Sequence, residues 1–186
     1  MGGYMLKPVG CRVLFSDRFI LRPFKVSDSE MMYHFYLKDP EVCKYLEFNP
    51  YKNSYEVYKS VLSYLPRYKD PFYFHWAIED KLNGYVIGSV SIHNINHLNL
   101  SGELGICISK LYWNKGVGKE VLSLVMEHGR KDIGIKQFYA YYLEGNISSR
   151  RLLKSLGLKE DNKNNKKIVK NGQLLDIYCL KLGYFN

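Results

Sequence analysis

The chain has 186 residues, 46% hydrophobic and 24% charged, with a formal net charge of +9. That is about one domain of chain with apolar content enough for a substantial core, and no stretch approaches the roughly 18 apolar residues of a membrane-spanning helix. The scattered Cys11, Cys43, Cys107 and Cys179 show no CxxC or Cys/His ligand spacing, which argues against a disulfide scaffold or zinc site and for free thiols in a reducing compartment.

Met1 to Pro8 lacks the apolar run of a secretory signal. Leu6 stands where a myristoylation motif at Gly2 needs Ser or Thr. A cytoplasmic protein is therefore expected. The basic excess is spread along the chain, and its one dense run, Lys159 to Lys170, also carries Glu160, Asp161 and asparagines. That run reads as a solvated hairpin turn rather than a nucleic-acid arm. Nucleic acid is thus not the expected partner, while a polyanionic cofactor or an acidic partner fits the charge.

Val13-Leu14-Phe15 and Phe19-Ile20-Leu21-Arg22 read as short strands paired across Ser16-Asp17, the second closed by Pro23. Ser27-Asp28-Ser29-Glu30 has the spacing of a capping box with Ser27 at the N-cap. It opens a helix with Met31, Met32, Phe35 and Tyr36 at i, i+4 spacing. Ser54 begins a second helix carrying Val57, Val61 and Leu65, stopped by Pro66. These two helices are placed to wall a substrate cleft, with Tyr33, Tyr36 and Tyr58 as candidate lining.

Phe72 to Glu79 and Tyr85 to Asn94 form a strand pair around Asn83-Gly84. Gly102 to Ser109 alternates as the next strand, and Gly116 to Lys131 is a helix presenting Val117, Val121 and Val125. Gln137 to Leu143 is a strand, and Asn146 to Leu156 a short helix closed by Gly157. Lys159 to Val169 and Leu174 to Leu182 end the chain as a hairpin around Asn171-Gly172. No repeat or linker interrupts this order. A single domain over 1–186 is expected, with 1–12 as an N-terminal extension, in an α+β class with a mixed sheet.

Chemistry concentrates where the Gly102–Ser109 strand runs into Trp113-Asn114-Lys115-Gly116-Val117-Gly118-Lys119-Glu120. A strand, a glycine-rich turn and an immediate helix start aim backbone N–H groups and a positive helix end at one spot, which suits a phosphate. The dinucleotide fingerprint fails because Val121 stands at its third glycine. The P-loop fails because Trp113 and Glu120 stand at its first glycine and its Ser/Thr. A lone GxG is equally at home in a tight structural turn. Its neighbours Lys115 and Lys119 add positive charge.

Tyr112 to Glu120 resembles the acetyl-CoA pyrophosphate loop of the GNAT superfamily of N-acetyltransferases. Its Trp-x-Lys-Gly-x-Gly form is similar to the RimJ/RimL-type branch. Ser16 to Phe24 is similar to that branch's opening strand, and Gly102 to Ile106 to its fourth strand. Asn146 to Ser149, with Leu156-Gly157-Leu158, is similar to its Asn-x-x-Ser…Leu-Gly-Phe segment. The likeness covers residues 16 to 182 in the right order.

The resemblance implies an α+β fold: a mixed, mostly antiparallel central sheet splayed between its fourth and fifth strands, flanked by about four helices. It implies acetyl-CoA as donor, the pantetheine arm pairing near Ile106, Cys107 and Ile108, and the pyrophosphate on Trp113, Asn114, Lys115, Gly116, Val117, Gly118 and Lys119. Asn146 is the expected cap of the short helix and a contact of the cofactor arm.

Glu103 is the candidate acid–base group, since an ammonium must lose a proton before it attacks a thioester. Burial is expected to raise its pKa; the bland alternative is a half-exposed strand glutamate paired with a lysine. Ser149 matches the serine that returns a proton to the thiolate in RimL-like enzymes, and Leu153 occupies the position where many relatives carry a tyrosine acid. His75, His93 and His97 lack metal spacing and an adjacent acidic residue, so no metal is expected. Cys107 has no evident histidine partner, and direct transfer needs no acyl-enzyme.

The acceptor implied is an amine, either a protein N-terminus or a small molecule, and a homodimer is expected from the family. The competing reading is a catalytically silent CoA-binding module that acts through protein or RNA binding.

Overall fold

The computed structural model describes residues 5–184. In chain order it holds β1 (Leu14–Phe15), β2 (Phe19–Arg22), α1 (Asp28–Met32), α2 (Pro40–Cys43), α3 (Ser54–Tyr64), β3 (Phe74–Asp80), β4 (Val86–Asn96) and β5 (Ser101–Ile108). Then follow α4 (Val117–His128), β6 (Gln137–Leu143), α5 (Ile147–Ser155), β7 (Lys159–Glu160), β8 (Lys166–Lys170) and β9 (Gln173–Gly183).

One sheet runs β1-β2-β3-β4-β5-β6-β9-β7, with β8 also paired to β9. Every pairing is antiparallel except β5–β6. This is the mixed, mostly antiparallel α+β architecture read from the sequence. The splayed pair is the fifth and sixth strand by this count, because the two-residue β1 adds one at the front. Five α-helices are present among the described residues, and the unforeseen one is α2. Asp39 caps it through Glu41 N, and Pro40 fills the first helical turn, where a missing N–H costs nothing.

Both faces of the sheet are covered. Val117, Val121, Val125 and Leu153, on α4 and α5, pack on Trp76, Ile92, Phe138 and Leu180. On the other face, Met32, Val57 and Val61 of α1 and α3, with Tyr36, pack around Ala77 and Val86, with Cys107 at the edge. The helical periodicities seen in the sequence are these two buried stripes. Of the N-terminal segment, Leu6 is buried in the core and Lys7 N donates to Ile133 O; Gly2, considered for acylation, lies outside the described residues.

Three local expectations are corrected. The capping box does not form: Ser27 is helical and makes no cap bond. The adjacent Asp28 is instead taken up by Arg22, in a two-pronged ion pair with both contacts at 2.8 Å, and by Lys25 N at 2.7 Å. The first helix passes from α1 into a wider turn over Tyr33–Leu37, which carries Tyr36 into the core. The Lys159–Val169 arm is broken, because Asp161 is buried and holds a turn over Asn162–Asn164, with Asn164 Nδ2 at 2.8 Å. The Asn171-Gly172 turn forms with both residues at positive φ, 51° and 78°.

Candidate active site

Strands β5 and β6 pair only from Ser101↔Gln137 to Leu104↔Ala140. Beyond that point β5 stays with β4, as Gly105↔Ser91 through Ile108↔Gly88. Meanwhile β6 stays with β9, as Tyr141↔Cys179 through Leu143↔Ile177. The two strands therefore part into a V with Glu103 and Leu104 at its apex, and each turns an unpaired main-chain edge into the opening.

A cleft of about 370 Å³ opens along the free β5 edge of this V, and Glu103 at the apex is not among its lining residues. One wall is Ile106, Cys107 and Ile108; the other is Asn146, Ser148, Ser149 and Leu152 from the start of α5. Trp113, Asn114, Gly116, Val117, Gly118 and Lys119 form its base. Lys115 is not among the lining residues; its ammonium lies 5.7 Å from the ring centre of Tyr112, which is. Segment 41–46 crosses the mouth with Glu41, Val42, Tyr45 and Leu46.

The loop geometry explains its residue types. Asn114 and Gly116 take positive φ, 58° and 76°, and Gly116 is the residue before the helix. No side chain caps α4, so its first N–H groups are available to an anion, and the helix dipole favours one. Gly118 serves packing instead: a Cβ there would lie 2.7 Å from Leu152 Cδ2. Glu120, anomalous for a P-loop, ties the loop to the β1–β2 turn. It accepts from Ser16 Oγ at 2.7 Å, Arg18 N at 3.0 Å and Arg18 Nε at 2.7 Å. Burial acts to raise its pKa, but these donors outweigh burial and hold it below the usual range. Arg18 Nη1 also donates to Lys115 O at 3.0 Å, so the loop is braced from outside the cleft.

The strap over the mouth is pinned at both ends. Lys170 Nζ, at the tip of β8, donates to the carbonyls of Cys43, Lys44 and Leu46 at 2.8, 2.9 and 2.6 Å. Glu41 pairs with Lys110 on the loop side. No sequence motif signals these contacts, although Asp39-Pro40 marks the helix that carries them.

Asn146 caps α5 by accepting from Ser149 N at 3.1 Å. The Ser149 hydroxyl makes no bond to a protein group among the described residues and lines the cleft. Leu153, the position of the alternative tyrosine acid, is buried core. Burial drives the Cys107 thiol pKa far up, leaving a neutral wall rather than a nucleophile.

Glu103 is not paired with a lysine. Its cross-strand neighbour is His93, whose Nε2 lies 3.2 Å from Oε1, while Asn94 Nδ2 donates to Oε2 at 2.9 Å. Burial raises the Glu103 pKa, but the bonds from His93 and Asn94 and the charge of Lys166 win, so it is net lowered. The expectation of a raised pKa is therefore corrected, as is the view that His93 has no acidic partner. That partner sits ten residues away in sequence and directly opposite in register.

The tyrosines read as candidate lining of the acceptor cleft take these positions. Tyr36 is 1% exposed, Tyr33 donates to Lys52 O at 3.0 Å, and Tyr58 stacks on Tyr55. Among the described residues, no three metal-ligating side chains cluster, and no helix is long and apolar enough to cross a membrane.

A splayed sheet edge beside an uncapped helix start suits an extended chain ending in phosphates. The acetyltransferase (GNAT) domain family matches residues 18–159. The uncharacterized N-acetyltransferase YoaA of Bacillus subtilis is 24% identical over 164 residues, 88% of this chain and 92% of that protein. A GCN5-related N-acetyltransferase from Brucella melitensis superposes with a TM-score of 0.84 at 16% identity, over 98% of this chain and 83% of that one. The ribosomal-protein-S5-alanine acetyltransferase of Vibrio fischeri does so at 0.79 and 18%, over 92% and 96%.

Proposed function

The chain belongs to the GNAT acetyltransferase family, making it an acyltransferase, and from that premise we propose an acetyl-CoA-dependent enzyme that acetylates a primary amine by direct attack. The observation that carries the donor assignment is the V between β5 and β6 with the uncapped start of α4 at its base. Acetyl-CoA supplies an activated acetyl thioester. Ile106, Cys107 and Ile108 offer it a strand edge, and Trp113, Asn114, Gly116, Val117, Gly118 and Lys119 receive its pyrophosphate, with Lys115 and Lys119 adding charge. Asn146 holds the α5 wall and contacts the arm.

The main-chain N–H near Ile108 polarises the carbonyl oxygen. Glu103, with His93 against it, belongs to the acid–base centre that relieves the acceptor ammonium of its proton. Ser149 donates to the departing thiolate. A RimJ/RimL-like placement within the family rests on the Trp113-x-Lys115-Gly116-x-Gly118 loop and on the likeness to the Vibrio fischeri enzyme. The acceptor class is a protein N-terminus or a small amine. The strong positive charge disfavours polycationic acceptors. Residues 1–186 are read as one domain with 1–12 as its extension, working in the cytoplasm, with a homodimer as the expected assembly.

Titration calorimetry with acetyl-CoA tests the donor assignment. Saturable binding that weakens in Gly116→Val supports it, and no heat of binding to folded protein refutes it. A silent binding module would bind acetyl-CoA yet release no thiol with any amine, and the Glu103→Gln comparison in a thiol-release assay separates the two.

A further inference from the structure

Around Glu103 the sheet carries more than one polar residue. His93 bonds on both ring nitrogens: Nε2 faces Glu103 Oε1 at 3.2 Å, and Nδ1 faces Ser91 Oγ at 3.1 Å. Two local devices aim this line. The β4–β5 register shifts between His93 and Asn96, and Asn94 takes a positive φ of 48°, which turns its amide onto the second carboxylate oxygen. Gly105, between Glu103 and Cys107 on the same strand face, lets Ser91 and His93 pack directly on the β5 main chain. A Cβ there would meet Ser91 Oγ at 2.8 Å and His93 Cε1 at 3.1 Å. This packing lies one residue past the apex of the V.

A carboxylate with a donor on each oxygen is a weak base, but it is well placed to hold an imidazole. Glu103 accepts only, so the Nε2 facing it carries the hydrogen, and Nδ1 is left with its lone pair toward Ser91. We propose that the proton removed from the acceptor ammonium comes to rest on Nδ1 of His93, passed through Ser91 Oγ, with Glu103 fixing the tautomer and balancing the charge. In this step the ammonium N–H breaks and leaves its electron pair on nitrogen. Ser91 Oγ takes that proton as it gives its own to Nδ1, and the imidazolium is held against the Glu103 carboxylate. No other bond changes.

The surroundings leave the assignment legible by pH. His75 on β3 is held neutral, pushed down to about 4 by burial and the nearby Arg67 charge. Burial pushes Tyr141 on β6 and Cys179 on β9 upward, so both stay neutral. Tyr139 donates to Gln137, and the Lys166 ammonium sits over Tyr141 at 4.0 Å.

The inference rests on the acetyltransfer reading, and the test separates the two. The pH profile of kcat/KM is measured by thiol release for wild type, His93→Gln, Glu103→Gln and Ser91→Ala. Long-range proton–nitrogen NMR reads the His93 tautomer in the free protein. A relay ending on imidazole makes the acid limb depend on His93, whereas one ending on the carboxylate leaves it in place when His93 is replaced. Expected are the Nε2–H tautomer and an acid limb that is lost in His93→Gln, with kcat down at least about 100-fold and acetyl-CoA affinity unchanged. Glu103→Gln should move the limb to lower pH and weaken the tautomer preference.

An Nδ1–H tautomer, or a limb and kcat indifferent to His93→Gln, overturns the relay while the acetyltransfer reading stands. No thiol release by wild type with any amine overturns both. Should His93→Gln fail to fold, the tautomer and the Glu103→Gln shift still decide.

Discussion

Gly88 and Cys107 approach more closely than any side chain would allow: a Cβ on Gly88 would sit 2.3 Å from the Cys107 carbonyl oxygen. The clash is with main chain of the strand that walls the cleft, so no rotamer relieves it. Gly88→Ala should cost about 1–3 kcal/mol, the range for overpacking, measured by urea denaturation. Because relief requires β5 to move, acetyl-CoA binding should weaken even at temperatures where the variant is folded. Unchanged stability and binding would contradict the strand spacing.

Glu120 gives a stability prediction with a sign. Its folded pKa lies below its ordinary value, so its contribution is fully present above about pH 4.5 and fades as pH falls through the lower, folded value. Glu120→Gln, which weakens the bonds to Ser16 and Arg18, should lower stability by about 1–2 kcal/mol at pH 7. The gap to wild type should close as the pH drops below 4. Thermal melts across that range check it.

The Lys170 clamp predicts local loosening. Lys170→Met keeps the stem but removes donors to three carbonyls, so hydrogen exchange should rise over residues 41–46. Global stability should fall by about 1–2 kcal/mol, and acetyl-CoA affinity should drop, because that segment lines the cleft.

Lys119 lines the cleft base near an uncapped helix start. Lys119→Gln should raise the acetyl-CoA Kd by up to roughly fivefold, about 1 kcal/mol for an exposed charge contact, and the effect should shrink in high salt. Lys115→Gln should have a smaller effect, since Lys115 lies off the lining.

Much of this was readable in the chain because it is local. Alternation over 102–109, the turn at Gly116 and the valine stripe of α4 each follow from a short-range rule, and together they place the cleft base. Asn146 as a cap was equally local. What escaped depends on pairing across distance. His93 meets Glu103 only through strand register, and Lys170 meets the strap only through the β8–β9 hairpin. Ser27 lost its cap because Asp28, which looked like an ordinary first-turn acid, is claimed by Arg22 and Lys25 N. Glu120 looked like a defect in a phosphate motif until Ser16 and Arg18 supplied its partners.

The most direct measurement is thiol release from acetyl-CoA against a panel of peptide N-termini and small amines. Release should depend on the amine, with one thiol freed for each acetylated amine and loss of most activity in Glu103→Gln. Release that is the same without amine, or none from folded protein with any member of the panel, would contradict it.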